Sequence, residues 1–135
     1  MPMHVELVSP ERILFSGEAT MVQARTIGGG DIAFLSGHAP FIGALDIDQV
    51  IVRTVDGPDQ VAAVHGGFVS VNGDNVTILS DLSELKDTID VPRARRAKEN
   101  AEEALRRAEG GDAAKAAEAD LKRADARLKA ADQVG

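Results

Sequence analysis

Three histidines, a run of three glycines and two pairs of arginines are the residues of this 135-residue chain whose types and spacing could do chemistry. His4, His38 and His65 lie at no metal-ligand spacing from one another, and the absence of cysteine removes a thiolate zinc site and a thiol nucleophile. No acid or serine beside His38 makes a recognisable triad, so a packing or interface role is expected of it, with Pro40 stiffening the turn that presents it. Gly28, Gly29 and Gly30 are not followed by the Lys-Ser/Thr of a phosphate-binding loop, nor do they open a helix as a dinucleotide-binding turn would. They read as a strand connection, either simply flexible or left bare so that another backbone can approach. Arg93 and Arg96 stand early in one helical stretch, and Arg123 and Arg127 lie four apart in the next. Folded together they could clamp a polyphosphate; the plain alternative is a solvated face.

Net charge and composition narrow the functions further. The formal charge of -7 argues against a general nucleic-acid binder, and four phenylalanines with no Trp or Tyr leave no platform for stacking bases. Without those aromatics the core must come from Val, Ile, Leu and Ala. No apolar run reaches the ~18 residues of a spanning helix, and the start "MPMHVELVSP" lacks the basic and apolar regions of a signal peptide. Any membrane association is expected to come through a partner.

The elements that position these residues fall into two parts, 1–87 and 88–135. The first part has 4 Lys+Arg against 12 Asp+Glu, the second 11 against 10, and alanine makes up 14 of its 48 residues. In the first part, stretches rich in Val, Ile and Thr such as "HVELV", "FVSV" and "VTIL" alternate inward and outward residues between turns such as "VDGPDQ" and "VNGDNV". Roughly eight to ten short strands in an antiparallel sandwich or barrel are expected; parallel pairing is not, because no crossover helix is visible. In the second part Asp90 is a candidate N-cap with Pro92 in the first turn, and "GGD" at 110–112 ends one helix and starts another, with Gly110 as the C-cap of the first and Asp112 as the N-cap of the second. Residues 94, 97, 101, 104 and 108 of the first helix, and Ala114, Ala117, Leu121, Ala124, Leu128 and Ala131 of the second, share faces at helical spacing. A seam so rich in alanine buries little area, so the hairpin is expected to open easily.

Four stretches, "LVSPERILFSGEA", "GGGDIAFLSGHAPFIGAL", "HGGFVSVNGDNVTILSD" and "IDVPRA", in this order and spacing, resemble the epsilon subunits of bacterial F-type ATP synthases, called delta in mitochondria. The resemblance spans essentially the whole chain and implies a β-sandwich of about ten strands followed by a two-helix antiparallel hairpin. It implies a non-catalytic subunit of the central stalk, bound to gamma and the ring of c subunits, on the cytoplasmic side of the bacterial inner membrane. The hairpin, when extended, would reach the alpha/beta head and restrain hydrolysis. The match places Gly29, Gly30 and Asp31 toward the ring and His38 and Pro40 near gamma. It requires no cofactor, but Ile89, Asp90, Arg93 and Ala94 fit the pattern by which some members bind a regulatory ATP, with Arg123 and Arg127 as phosphate partners. The residues by themselves leave open a free-standing ATP-sensing adapter.

Overall fold

The computed structural model describes residues 2–132. Seven strands come first: β1 (Met3–Val8), β2 (Ile13–Thr26), β3 (Gly30–Leu35), β4 (Phe41–Thr54), β5 (Gln60–Asn72), β6 (Asn75–Leu79) and β7 (Ser83–Leu85). A 3₁₀ turn at Lys86–Thr88 leads into α1 (Val91–Arg107), and α2 (Gly111–Ala130) follows. Alternation works as the sequence suggests. In β1, Met3, Val5 and Leu7 are buried while His4, Glu6 and Val8 are only half-buried.

Three strands are too long to stay in one layer. One edge of β2 pairs with β4, and its other edge pairs first with β1 (residues 13–19) and then with β3 (residues 21–26). Likewise β5 pairs along one edge with β4, and along the other with β7 (residues 62–64) and then β6 (residues 68–72). The first layer therefore runs β3, the second half of β2, the second half of β4, the first half of β5, and β7. The second layer runs the first half of β2, β1, β6, the second half of β5, and the first half of β4. Four strands count once and three count twice, which yields the ten strand segments of the expected sandwich from seven continuous strands.

Bends make this possible. The β2 register shifts between Ala19 and Met21. β5 turns its corner at Gly66 and Gly67, whose φ angles of 86° and 127° favour glycine. A Cβ on Gly67 would lie 2.1 Å from the Leu79 carbonyl oxygen, so only glycine lets β5 lie this close to β6 at the corner.

One pairing departs from expectation: β1 and β6 are parallel, with Val5 opposite Val76 and Leu7 opposite Ile78. A crossover helix is needed only when parallel neighbours are consecutive in the chain. Here β2 to β5 intervene, and the sandwich itself makes the crossover.

The core lies between the layers, built from Met3, Val5, Val22, Leu45, Val64, Val69, Val71, Val76, Ile78 and their neighbours, with Phe34 its one fully buried aromatic. Every member precedes residue 88. α2 lies across the outer face of the first layer, on β4 and β5, and α1 lies on α2. Asp90 caps α1 as expected, its Oδ1 accepting from the Arg93 amide at 3.1 Å, with Pro92 in the first turn. The other caps differ. The C-cap of α1 is Ala108, not Gly110, the Ala108 amide donating to the Leu105 carbonyl; Gly110, at φ 104°, is instead the N-cap of α2 with no side-chain bond, and Asp112 sits inside the first turn, where a negative charge meets the helix dipole. Within α1 the inward set is Ala94, Ala97, Ala101 and Leu105; Ala104 faces solvent.

Candidate functional site

α2 uses two opposite faces. At 100° per residue, Ala117, Leu121, Ala124 and Leu128 point one way, toward α1, while Ala126 and Ala130 point the other and meet Ala63 of β5, packed with Ile47, Val61 and Ile89. The flanks of this second face carry cations that reach carboxylates of the sandwich. On one side Lys122 Nζ is 3.1 Å from Asp46 Oδ1 and Lys129 Nζ is 3.1 Å from Asp48 Oδ1. On the other, Arg127 Nε donates to Glu84 Oε1 at 2.6 Å. The same Glu84 oxygen is 3.0 Å from His65 Nε2, an imidazole whose side chain is only 2% exposed. A carboxylate can only accept, so His65 carries its hydrogen on Nε2.

Between the start of α1 and this latch lies a cleft of about 470 Å³, within the usual range for small-molecule sites. Glu84, Thr88, Asp90, Arg93, Ala94 and Arg127 line it. The cleft thus gathers four of the six residues expected around a nucleotide. The Arg93 side chain is exposed, whereas Arg127 is already held by Glu84. The other two lie elsewhere: Ile89 packs into the alanine cluster under α2, and Arg123 Nη1 pairs with Asp120 at 3.0 Å. Asp90 holds the first turn of α1 and faces the cleft at once. Chemically the cleft offers guanidinium groups beside a helix start, a setting for an anionic group.

The expected docking residues fall at the two ends of β3, the edge strand that pairs with β2 alone. At one end, residues 27–29 close the β2–β3 hairpin, with Gly28 and Gly30 at positive φ and Asp31 3.5 Å from Arg25. Arg25 also lies 4.0 Å from Asp48, the partner of Lys129. At the other end His38 stands edge-on to Phe34, ring centroids 5.0 Å apart, and its Nδ1–H donates to the Ala39 carbonyl at 2.6 Å. The His38 ring is therefore a packed cap over the core aromatic Phe34, with Ala39 and Pro40 exposed beside it.

A surface missed by the sequence reading lies on the outer face of the second layer, away from the hairpin. Ala44, Phe68, Leu79, Val8 and Ile13 stand opposite one another across five adjacent strand segments, and Ile42 lies in the next row. Ile42 is 78% exposed, Phe68 57%, Ile13 56% and Leu79 49%. The signal was present: Phe68 shares the parity of Ser70, and Leu79 that of Thr77, both outward positions. Among the described residues no group of three or more His, Asp or Glu is placed to hold a metal, and no helix is long and apolar enough to cross a membrane.

A ten-segment sandwich with a helical hairpin latched across one face and a bare apolar row on the other defines a small two-part protein of the β-sandwich-plus-helical-hairpin class. Residues 2–86 match the family description "ATP synthase, Delta/Epsilon chain, beta-sandwich domain", and residues 87–132 match "ATP synthase, Delta/Epsilon chain, long alpha-helix domain". The chain belongs to the ATP synthase delta/epsilon chain family. Among its relatives, the ATP synthase epsilon chain of Streptomyces griseus is 46% identical over 128 residues, covering 95% of this chain and 94% of the relative. That of Brevibacillus brevis is 44% identical over 103 residues, 76% of this chain and 77% of the relative. In fold, the structure resembles a chain of the Euglena gracilis mitochondrial ATP synthase OSCP/F1/c-ring assembly, with a TM-score of 0.83 at 20% identity over 96% of this chain and 81% of that one. It also resembles a chain of the Tetrahymena thermophila mitochondrial central stalk and c-ring, with a TM-score of 0.64 at 16% identity over 97% of each.

Proposed function

We propose that this chain, a central-stalk (rotor) subunit of the F-type ATP synthase, uses its sandwich to couple gamma to the ring of c subunits and its hairpin to restrain ATP hydrolysis. The chain itself does no chemistry; catalysis belongs to the partner subunits. It is held at the cytoplasmic side of the bacterial inner membrane through the ring.

The observation that carries the coupling reading is the apolar row of Ile13, Phe68 and Leu79 with Ile42, left uncovered while the opposite face of the sandwich is covered by α2. A contiguous exposed apolar surface on a small acidic protein is the mark of a docking site. A rigid sandwich transmits torque only if it is clamped at more than one place, and the ends of the free edge strand β3 offer the second contact, through Gly29, Gly30 and Asp31 toward the ring and His38 and Pro40 toward gamma. The test is capture of purified gamma by the intact chain: Phe68→Asp should weaken it at least tenfold, and capture at the wild-type level would remove the apolar row from the interface.

The hinge cleft favours a second element, a regulatory ATP that binds the closed hairpin. Asp90, Arg93, Ala94 and Arg127 converge there; Ile89 precedes Asp90 in the chain but packs with Ala63, Ala126 and Ala130, and Arg123 is one helical turn from Arg127. ATP can bias the hairpin only by binding one arrangement better than the other. Calorimetry with MgATP should give a binding isotherm that Arg93→Ala abolishes; an isotherm unchanged by that substitution places the nucleotide elsewhere.

A further inference from the structure

The His65–Glu84–Arg127 cluster joins three elements, β5, β7 and α2, and is the one point where the hairpin closes over an imidazole. Nε2–H is spent on Glu84, and Nδ1 is buried with no hydrogen-bond partner among the described residues. The hydrogen bonds around the ring are therefore those of a neutral imidazole: one N–H given to Glu84, and Nδ1 left without a partner.

We propose that His65 is a proton-operated release for the helical hairpin: a second proton on its ring cannot be accommodated while α2 is closed over it, so acidification frees α2 from the sandwich. A proton added at Nδ1 would create a buried N–H with no acceptor, a cost the open state avoids by exposing the ring to water. Around the imidazole stand Glu84 from β7, and Arg127 and Arg123 from α2, and Asp81, between β6 and β7, lines a small cleft together with His65. Asp90 and Arg93 of α1 lie across the cleft. β4 places Ile47 opposite His65, and the flanking Asp46 and Asp48 are engaged by Lys122 and Lys129. Glu84 favours the charged ring, but burial and the two arginines oppose it.

The net direction follows the geometry: burial, first, and the charges of Arg127 and Arg123 hold the His65 pKa below its ordinary 6.5, against the contrary pull of Glu84. In the open hairpin the ring returns toward 6.5. The closed state is accordingly favoured in full above pH 6.5 and weakens as pH falls below it, until the lowered closed-state value is reached. Imidazole is the side chain whose ordinary pKa lies in this window.

Since the chain has no native cysteine, dyes can be placed on Asp56→Cys in the β4–β5 loop and Glu118→Cys on α2, both exposed positions. In the intact chain, energy transfer should fall between pH 7.5 and 5.5. The opening constant should rise by up to tenfold per pH unit below 6.5, the limit for one proton. The same chain carrying His65→Gln, which keeps a donor for Glu84 but cannot titrate, should show no such fall. In parallel, NMR titration of the unsubstituted chain should place His65 below 6.5. A fall of equal size in His65→Gln, no fall in the parent, or a His65 that titrates at or above 6.5 overturns the proposal. The readouts concern hairpin closure in the free chain, so they are independent of whether an open hairpin inhibits hydrolysis.

Discussion

The glycine that matters most to the fold is not in the conspicuous run at 28–30. Gly28 and Gly30 need their positive φ, but a Cβ at either would meet nothing within 4 Å. At Gly67 an added Cβ collides with the Leu79 carbonyl, backbone that cannot swing aside, at φ 127°. Gly28→Ala should cost about 1–2 kcal/mol of left-handed strain, whereas Gly67→Ala should cost clearly more because it also forces β5 and β6 apart. Urea unfolding of the two intact variants makes the comparison, and equal losses would remove the close approach as the reason for glycine. "HGG" and "GGG" look alike in the sequence because the distinction depends on what lies across the strand. His38 behaves similarly: its contact with Phe34 depended on the turn that folds it back over the core, which the sequence around it does not specify.

At the level of elements, α2 is the informative one, because its alanines serve two interfaces. Helical spacing gave the α1 seam but not the patch formed by Ala126, Ala130 and Ala63, since alanine looks the same on either face. Ala126→Glu should place a charge in that patch and detach α2, raising tryptic cleavage of residues 111–130 while leaving the sandwich's melting temperature within a few degrees of the parent's. The ion pairs on the flanks should matter less, each worth under ~1 kcal/mol at this exposure. For Asp46, burial pushes the carboxyl up, but the Ile47 amide, Lys122 and Arg25 outweigh it and hold the pKa below 3.8. Its contribution is therefore complete above pH 3.8 and lost as pH falls through the lowered value. Asp46→Asn should raise the opening constant less than fivefold at neutral pH, read by the same energy transfer, and should not alter its dependence between pH 7.5 and 5.5. That window separates a carboxylate contact from the His65 latch.

On the scale of the whole molecule, the sandwich core draws no residue from the hairpin. A chain ending at Thr88 should therefore keep its β-type circular dichroism and a cooperative melt, losing only the cover over Ala63, Ile47 and Val61. In the reconstituted ATP synthase the same truncation should raise ATP hydrolysis and preserve proton-coupled synthesis. Unchanged hydrolysis would remove the hairpin's inhibitory role, and lost synthesis would show that coupling needs the helices. The two parts thus meet through small side chains and ion pairs, an interface that buries little apolar area.

By itself the sequence determined the two-part build, the alternation of stretches such as "HVELV" and the cap at Asp90, because period, turn chemistry and helix starts are local properties of the chain; the family followed from the resemblance of four stretches in their order and spacing. It also placed Asp90, Arg93, Ala94 and Arg127 together as candidates, through a motif and a helical spacing. Only the tertiary structure decided that three long strands each serve two layers, that β1 and β6 run parallel, and that an apolar row is left bare. It also decided that Arg127 is held by Glu84 over a buried His65. Each of these depends on which residues, far apart in the chain, come to face one another, and nothing in the local pattern of a strand or helix specifies its partner.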